Sequence, residues 1–274
     1  MSTRTRNWFR VAAMAVAPVI LLAVLLYHPF LVGATLSSDV VVQTMEADSM
    51  RWAMAHLLTV GALALFVLAF QGLRSRLREA GEQQWSFFAL PLVIVAGVLV
   101  AALAGMEVAV ATAIPTGADT LALVQALQPW LLTLLAGGTV AFLLGSLAFA
   151  AGVVRAEIMG RSMTIVVAVA LAVMGLAAVT PFFGAFYVIG LAAIVAFWPL
   201  AWTIVRTEIV SGAESEAETG PEAEAEEAEP KAGAEPQAEA EEGERPTTPR
   251  PRAAAEERKG TFRSFGRHGP RTHH

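Results

Sequence analysis

The sequence predicts an all-α fold: a polytopic bundle of six transmembrane helices followed by a disordered C-terminal tail. Three observations carry that prediction. Hydrophobic residues make up 55% of the 274 residues and charged residues only 16%, against about 25% charged in soluble globular chains. The apolar residues gather into six runs, at 11–32, 52–73, 87–113, 129–154, 163–180 and 185–205, each near or above the roughly 20 residues a helix needs to cross a bilayer. Past residue 210 the composition changes abruptly: 211–244 holds 13 Glu and one Lys, and 245–274 holds eight basic residues and two acids.

The formal charge of −5 is therefore a sum of unlike parts: residues 1–210 carry 10 Arg and nine acids, a formal +1, and the tail carries −6. This arithmetic excludes a soluble enzyme, a collagen-like chain and a disulfide scaffold. There is no cysteine, which removes thiolate nucleophiles, cysteine-bound zinc, iron–sulfur clusters and lipidated thiols.

The first run follows Arg4, Arg6 and Arg10 and so resembles a signal peptide. It is longer than the usual signal core and lacks a small-x-small cleavage site, so it is read as a retained span, with Pro18 kinking it. The connection 36–51 has Ser37 or Ser38 as a helix cap, and 116–128 has Thr116 or Asp119. Each predicts a short interfacial helix. Pro129 suits the first turn of the fourth span. The short turn from Pro181 to Gly184 makes the last two spans antiparallel neighbours.

Charge sets the expected orientation. Arg4, Arg6 and Arg10, then Arg74, Arg76 and Arg78, then Arg155 and Arg161, then Arg206 fall on alternate connections, hence on one side. The other connections hold a single basic residue, Arg51, beside Asp39, Glu46, Asp48 and Asp119. Positive residues favour the cytoplasmic side, which places both termini in the cytoplasm and the protein in a bacterial cell (inner) membrane. Trp8, Trp85, Trp198 and Trp202 fall at the inner interface, and Trp52, Trp130 and Tyr187 at the outer one.

On the fourth span Gly138, Ala141, Gly145, Ala148 and Gly152 recur at steps of three and four. They form one stripe of minimal side chains, the device by which helices pack in lipid. Packing inside the bundle is the expected use, and a homo-oligomer face is the alternative. Gly97, Ala101 and Gly105 form a shorter stripe on the third span.

Ionisable side chains inside a bilayer are costly, and each is a functional candidate. His28, His56 and Glu107 lie roughly 26, 26 and 33 Å above the inner boundary at 1.5 Å per helical residue. All three reach the outer side on consecutive spans. Two imidazoles and a carboxylate are ligand types for zinc or another divalent metal with a position left open, and also the groups of a proton relay. The plainer reading is that His28 ends its helix before Pro29 and that His56 bonds a carbonyl or pairs with Glu107. Haem is disfavoured, because each helix carries only one His near its end. Thr112, Gln125, Gln128 and Thr133 lie on the same side, so any cavity opens outward. Neither a phosphate-binding loop nor a nucleophile elbow is present, and no catalytic residue and no cofactor beyond a divalent metal is expected.

The segment from Arg51 through Trp52 and His56 to Leu58, with the loop Gly72 to Arg78 and the pair His28-Pro29 ahead of it, resembles uncharacterised six-helix, multi-pass membrane proteins of actinobacteria. The resemblance covers the general layout of 20–200 and implies no activity.

The tail lacks the large apolar residues a core needs. Its basic end is a candidate to meet the acidic block, the anionic inner leaflet, or a cytoplasmic protein through Phe262, Arg263, Phe265 and Arg267, with nucleic acid disfavoured. The chain thus reads as an integral membrane protein that binds a small ligand, ion or partner. The alternatives are a membrane metalloprotein using the outer His/Glu group and a scaffold that recruits through its tail.

Overall fold

The computed structural model describes residues 3–29, 37–182 and 184–218. It contains seven α-helices and no strand among those residues: α1 (Thr3–Tyr27), α2 (Ser38–Ala47), α3 (Ser49–Glu79), α4 (Gln84–Ala113), α5 (Thr120–Ala156), α6 (Arg161–Ala178) and α7 (Gly184–Glu218). All but α2 are long and apolar enough to cross a membrane. The protein is an all-α, multi-pass integral membrane protein.

The six long helices form a ring. In it α1 packs on α3, α3 on α4, α4 on α5, α5 on α6, α6 on α7, and α7 back on α1. Apolar side chains fill the inside at the end away from α2. Phe66, Phe70, Phe142, Phe149 and Phe197 meet there with ring centroids 5.0–6.3 Å apart, the edge-to-face and tilted contacts aromatic quadrupoles favour. A second, smaller cluster (Val42, Met45, Trp52, Ala53, Val110, Ala111 and Val124) seats α2 across the other end of the ring.

The small-residue stripe is occupied within the chain. A Cβ on Gly145 would stand 2.9 Å from Val93 Cγ2 and 3.2 Å from the Ala89 carbonyl, and one on Gly138 would stand 3.0 Å from Val100 Cγ2. Both face α4. At Gly152 the near neighbours are Leu77 and the Glu82 carboxylate, each 3.2 Å away. Glu82 is buried there because its side chain accepts from the Trp85 and Ser86 amides at 2.7 and 3.2 Å. An anion satisfies the unpaired donors at the start of α4. Ala141 is buried and Ala148 half-buried against the core.

Several elements differ from the sequence expectation. α1 starts at Thr3 and ends at Tyr27 rather than spanning 11–32: the basic N-terminal residues are themselves good helix formers, and Pro29 closes the far end. The connection 36–51 does hold a short helix, α2. The connection 116–128 does not. One turn of 3-10 helix at Ile114–Thr116 leads to Asp119, whose side chain caps α5 by accepting from the Ala122 amide at 3.0 Å. From there α5 runs unbroken for 37 residues, with Pro129 inside it rather than in its first turn. α7 also continues to Glu218, eight residues into the expected disordered tail, because Ala- and Glu-rich sequence extends an existing helix without a new nucleation cost. The remaining tail, from 219 on, lies outside the described residues.

Candidate functional site: a polar-headed cavity in the ring

α6 has 18 residues where α5 has 37. At the α2 end the first turns of α5 stand with no α6 beside them, and the ring encloses a cavity of about 340 Å³. That lies within the roughly 300–1,000 Å³ of small-molecule sites. Its walls come mainly from α1, α2, α3, α4, α5 and α7, with Ala178 at the end of α6. Phe66, Val93 and Phe142 line its deep part, and Gln128 and Leu132 of α5 line it where they are exposed.

His28, His56 and Glu107 meet at its head. On α3, His56 Nδ1 donates to the Trp52 carbonyl one turn earlier, at 2.9 Å. That bond turns Nε2 across to α4, where it pairs with the Glu107 carboxylate. His56 is buried, and the Glu107 side chain is 19% exposed. The His28 ring lies edge-on to His56, with centroids 4.9 Å apart, and edge-on to Trp52 at 5.0 Å. Trp52 and His56 stack at 5.0 Å. His28 Nδ1 donates to the Pro29 carbonyl at 2.9 Å. Just beyond the span of α1, His28 is held neutral near pH 7: burial, and secondarily the nearby His56, push its imidazole down to about 4.

The three residues singled out in the sequence are thus adjacent, and the plainer reading of His56 describes its hydrogen bonds: it both bonds a carbonyl and pairs with Glu107. Both of its nitrogens are engaged by protein atoms, so a metal would have to displace one of them. Among the described residues no group of three or more His, Asp or Glu is placed to hold a metal ion. Of the other polar residues singled out on this side, Gln128 lines the cavity, whereas Thr112 and Thr133 turn back onto the Ala109 and Pro129 carbonyls at 3.0 and 2.7 Å.

Sequence reasoning missed Trp52. Taken for an interfacial aromatic, it is 2% exposed, lines the cavity, and its Nε1 has no hydrogen-bond partner among the described residues. Its place four residues before His56 on one helix face was the available signal. It also missed Ser38 and Thr59, which line the same cavity.

The rim is held separately. Arg51 Nε donates to the Tyr27 carbonyl at 3.0 Å, and its guanidinium lies 5.4 Å from the centre of the Tyr27 ring. These contacts fasten the end of α1 to the start of α3 above the site. Comparison with family models, with curated proteins and with solved structures finds no match for this chain, and so nothing that bears on the resemblance to actinobacterial membrane proteins.

Proposed function

We propose that this protein is a membrane-embedded binding protein for an elongated apolar small molecule whose polar end sits at His28, His56 and Glu107. One observation carries the reading: a cavity whose lining is mostly apolar and whose ionisable side chains are all at its head. A bundle packed for stability alone fills such space with side chains. The exposed stretch of α5 above the end of α6 gives the ligand a path from the bilayer. The alternating arginines support an orientation with both termini in the cytoplasm of a bacterial cell and the α2 end, with the cavity head, outside.

The test is retention. Lipid extracted from the full chain purified in mild detergent should contain one apolar small molecule at about one per chain. Gly97→Phe, placed in the cavity wall where a Cβ meets only Val67 Cγ2 at 3.5 Å, should lose it. Absence of any retained molecule, or retention indifferent to Gly97→Phe, overturns the reading.

A further inference from the structure

We infer that the ligand is a long-chain lipid with an uncharged oxygen head, an alcohol or a quinone-type carbonyl, and not a fatty acid or a phospholipid. This rests on the ligand-binding reading above and adds the chemistry of the head.

The argument begins with charge. No Arg or Lys lines the cavity among the described residues, and residues 30–36, next to it in the chain, contain no ionisable side chain. Arg51, at the rim, is exposed and engaged by Tyr27. The one acid at the head, Glu107, is matched by His56. Because His56 Nδ1–H is fixed on the Trp52 carbonyl, a single proton lies between Nε2 and the carboxylate. Whichever atom holds that proton, the pair carries no net charge. His28 adds none near pH 7. A carboxylate or phosphate entering this head would lose its water, face Glu107 and find no cation among the described lining residues, which is the unfavourable case for burying an ion.

An uncharged oxygen meets the opposite situation. Among the described residues the buried Trp52 Nε1–H lacks an acceptor, and a buried donor without a partner is costly. A ketone or hydroxyl oxygen at the head accepts from it, and a hydroxyl also donates to the carboxylate. Below the head, the lining on α4 from Glu107 down to Val93 is apolar over roughly 21 Å at 1.5 Å per residue. That length and composition suit one extended hydrocarbon or prenyl chain.

The experiment measures occupancy of the full chain by native mass spectrometry after release from detergent, with four probes at equal concentration: hexadecanol, decylbenzoquinone, palmitic acid and palmitoyl lysophosphatidylcholine. Hexadecanol or decylbenzoquinone should bind at least about tenfold better than either charged-head probe. The alcohol exceeding the quinone would mean that donation to Glu107 is used, and the reverse that acceptance from Trp52 suffices. Trp52→Phe should weaken the preferred probe by about three- to tenfold, and Glu107→Gln should narrow the discrimination against palmitic acid. Palmitic acid or the lysophospholipid binding as well as the neutral probes overturns this inference and leaves the ligand-binding reading standing. Binding of none of the four overturns both.

Discussion

His56 on α3 and Glu107 on α4 are paired across the head of the cavity, and the pairing is directed by a backbone atom: the Trp52 carbonyl takes Nδ1, so Nε2 has only the carboxylate to face. Removing one member strands the other in a low-dielectric site, which costs about 3–5 kcal/mol for a buried pair. His56→Ala should therefore lower thermal stability in detergent strongly, whereas the apolar double replacement His56→Phe with Glu107→Leu should recover most of the loss. Equal destabilisation by the single and double variants would show that the pair is not a closed unit.

The close approach of α4 and α5 depends on Gly145. Gly145→Val places carbon against Val93 Cγ2 and the Ala89 carbonyl, and backbone cannot rotate away as a side-chain tip can. A loss of about 1–3 kcal/mol is expected for such overpacking. Gly61 on α3 is the control: a Cβ there meets nothing within 4 Å, and Gly61→Ala should be neutral or add up to about 1 kcal/mol of helix propensity. Parallel melting curves of the two variants check the contrast.

Acid should weaken the fold partly through His28. Its imidazole, lowered from 6.5 to about 4 by burial, binds a proton in the unfolded chain before it does so in the folded one. Stability consequently rises with pH between about 4 and 6.5, and is lost as pH falls through that window. His56 and Glu107 face His28, and Arg51 acts on it from the rim, so the readout is a difference: the melting temperature of wild type minus that of His28→Asn, followed from pH 7 to pH 4. That difference should shift against wild type as pH falls, and a flat line would contradict it.

The absence of native cysteine makes orientation directly measurable. Ala118→Cys, before α5 at the α2 end, should react with an impermeant maleimide on intact cells. Ala80→Cys, in the turn between α3 and α4, should react only after the membrane is permeabilised. The opposite pattern reverses the proposed topology.

Span number was legible because hydropathy is a property of the segment and needs no partner. Element ends were less so. Asp119 and Thr116 both looked like caps, and only the Ala122 amide at Asp119 decides between them. Pro129 looked like a start because proline tolerates a first turn, yet α5 had already begun nine residues earlier at Thr120. The site was half legible. Ionisable residues in an apolar chain identify themselves, which brought out His28, His56 and Glu107. Trp52 did not, since an aromatic near a span end has an ordinary interfacial explanation. Only packing shows that α2 buries it.

The seam between α1 and α7 has a consequence in time. Trp198 Nε1 donates to the Ala15 carbonyl at 3.1 Å across a sequence separation of 183 residues, and Gly190 lies flat against Leu22. The ring is thus closed between α7 and α1, the last and the first of the described helices to be synthesised. At about 5–20 residues per second, α1 waits on the order of 10–40 s for that neighbour. Until then the nascent chamber is a cleft with one wall missing, open to the lipids of the insertion site. The proposed ligand would then be taken up as the wall arrives, its occupancy set during biogenesis.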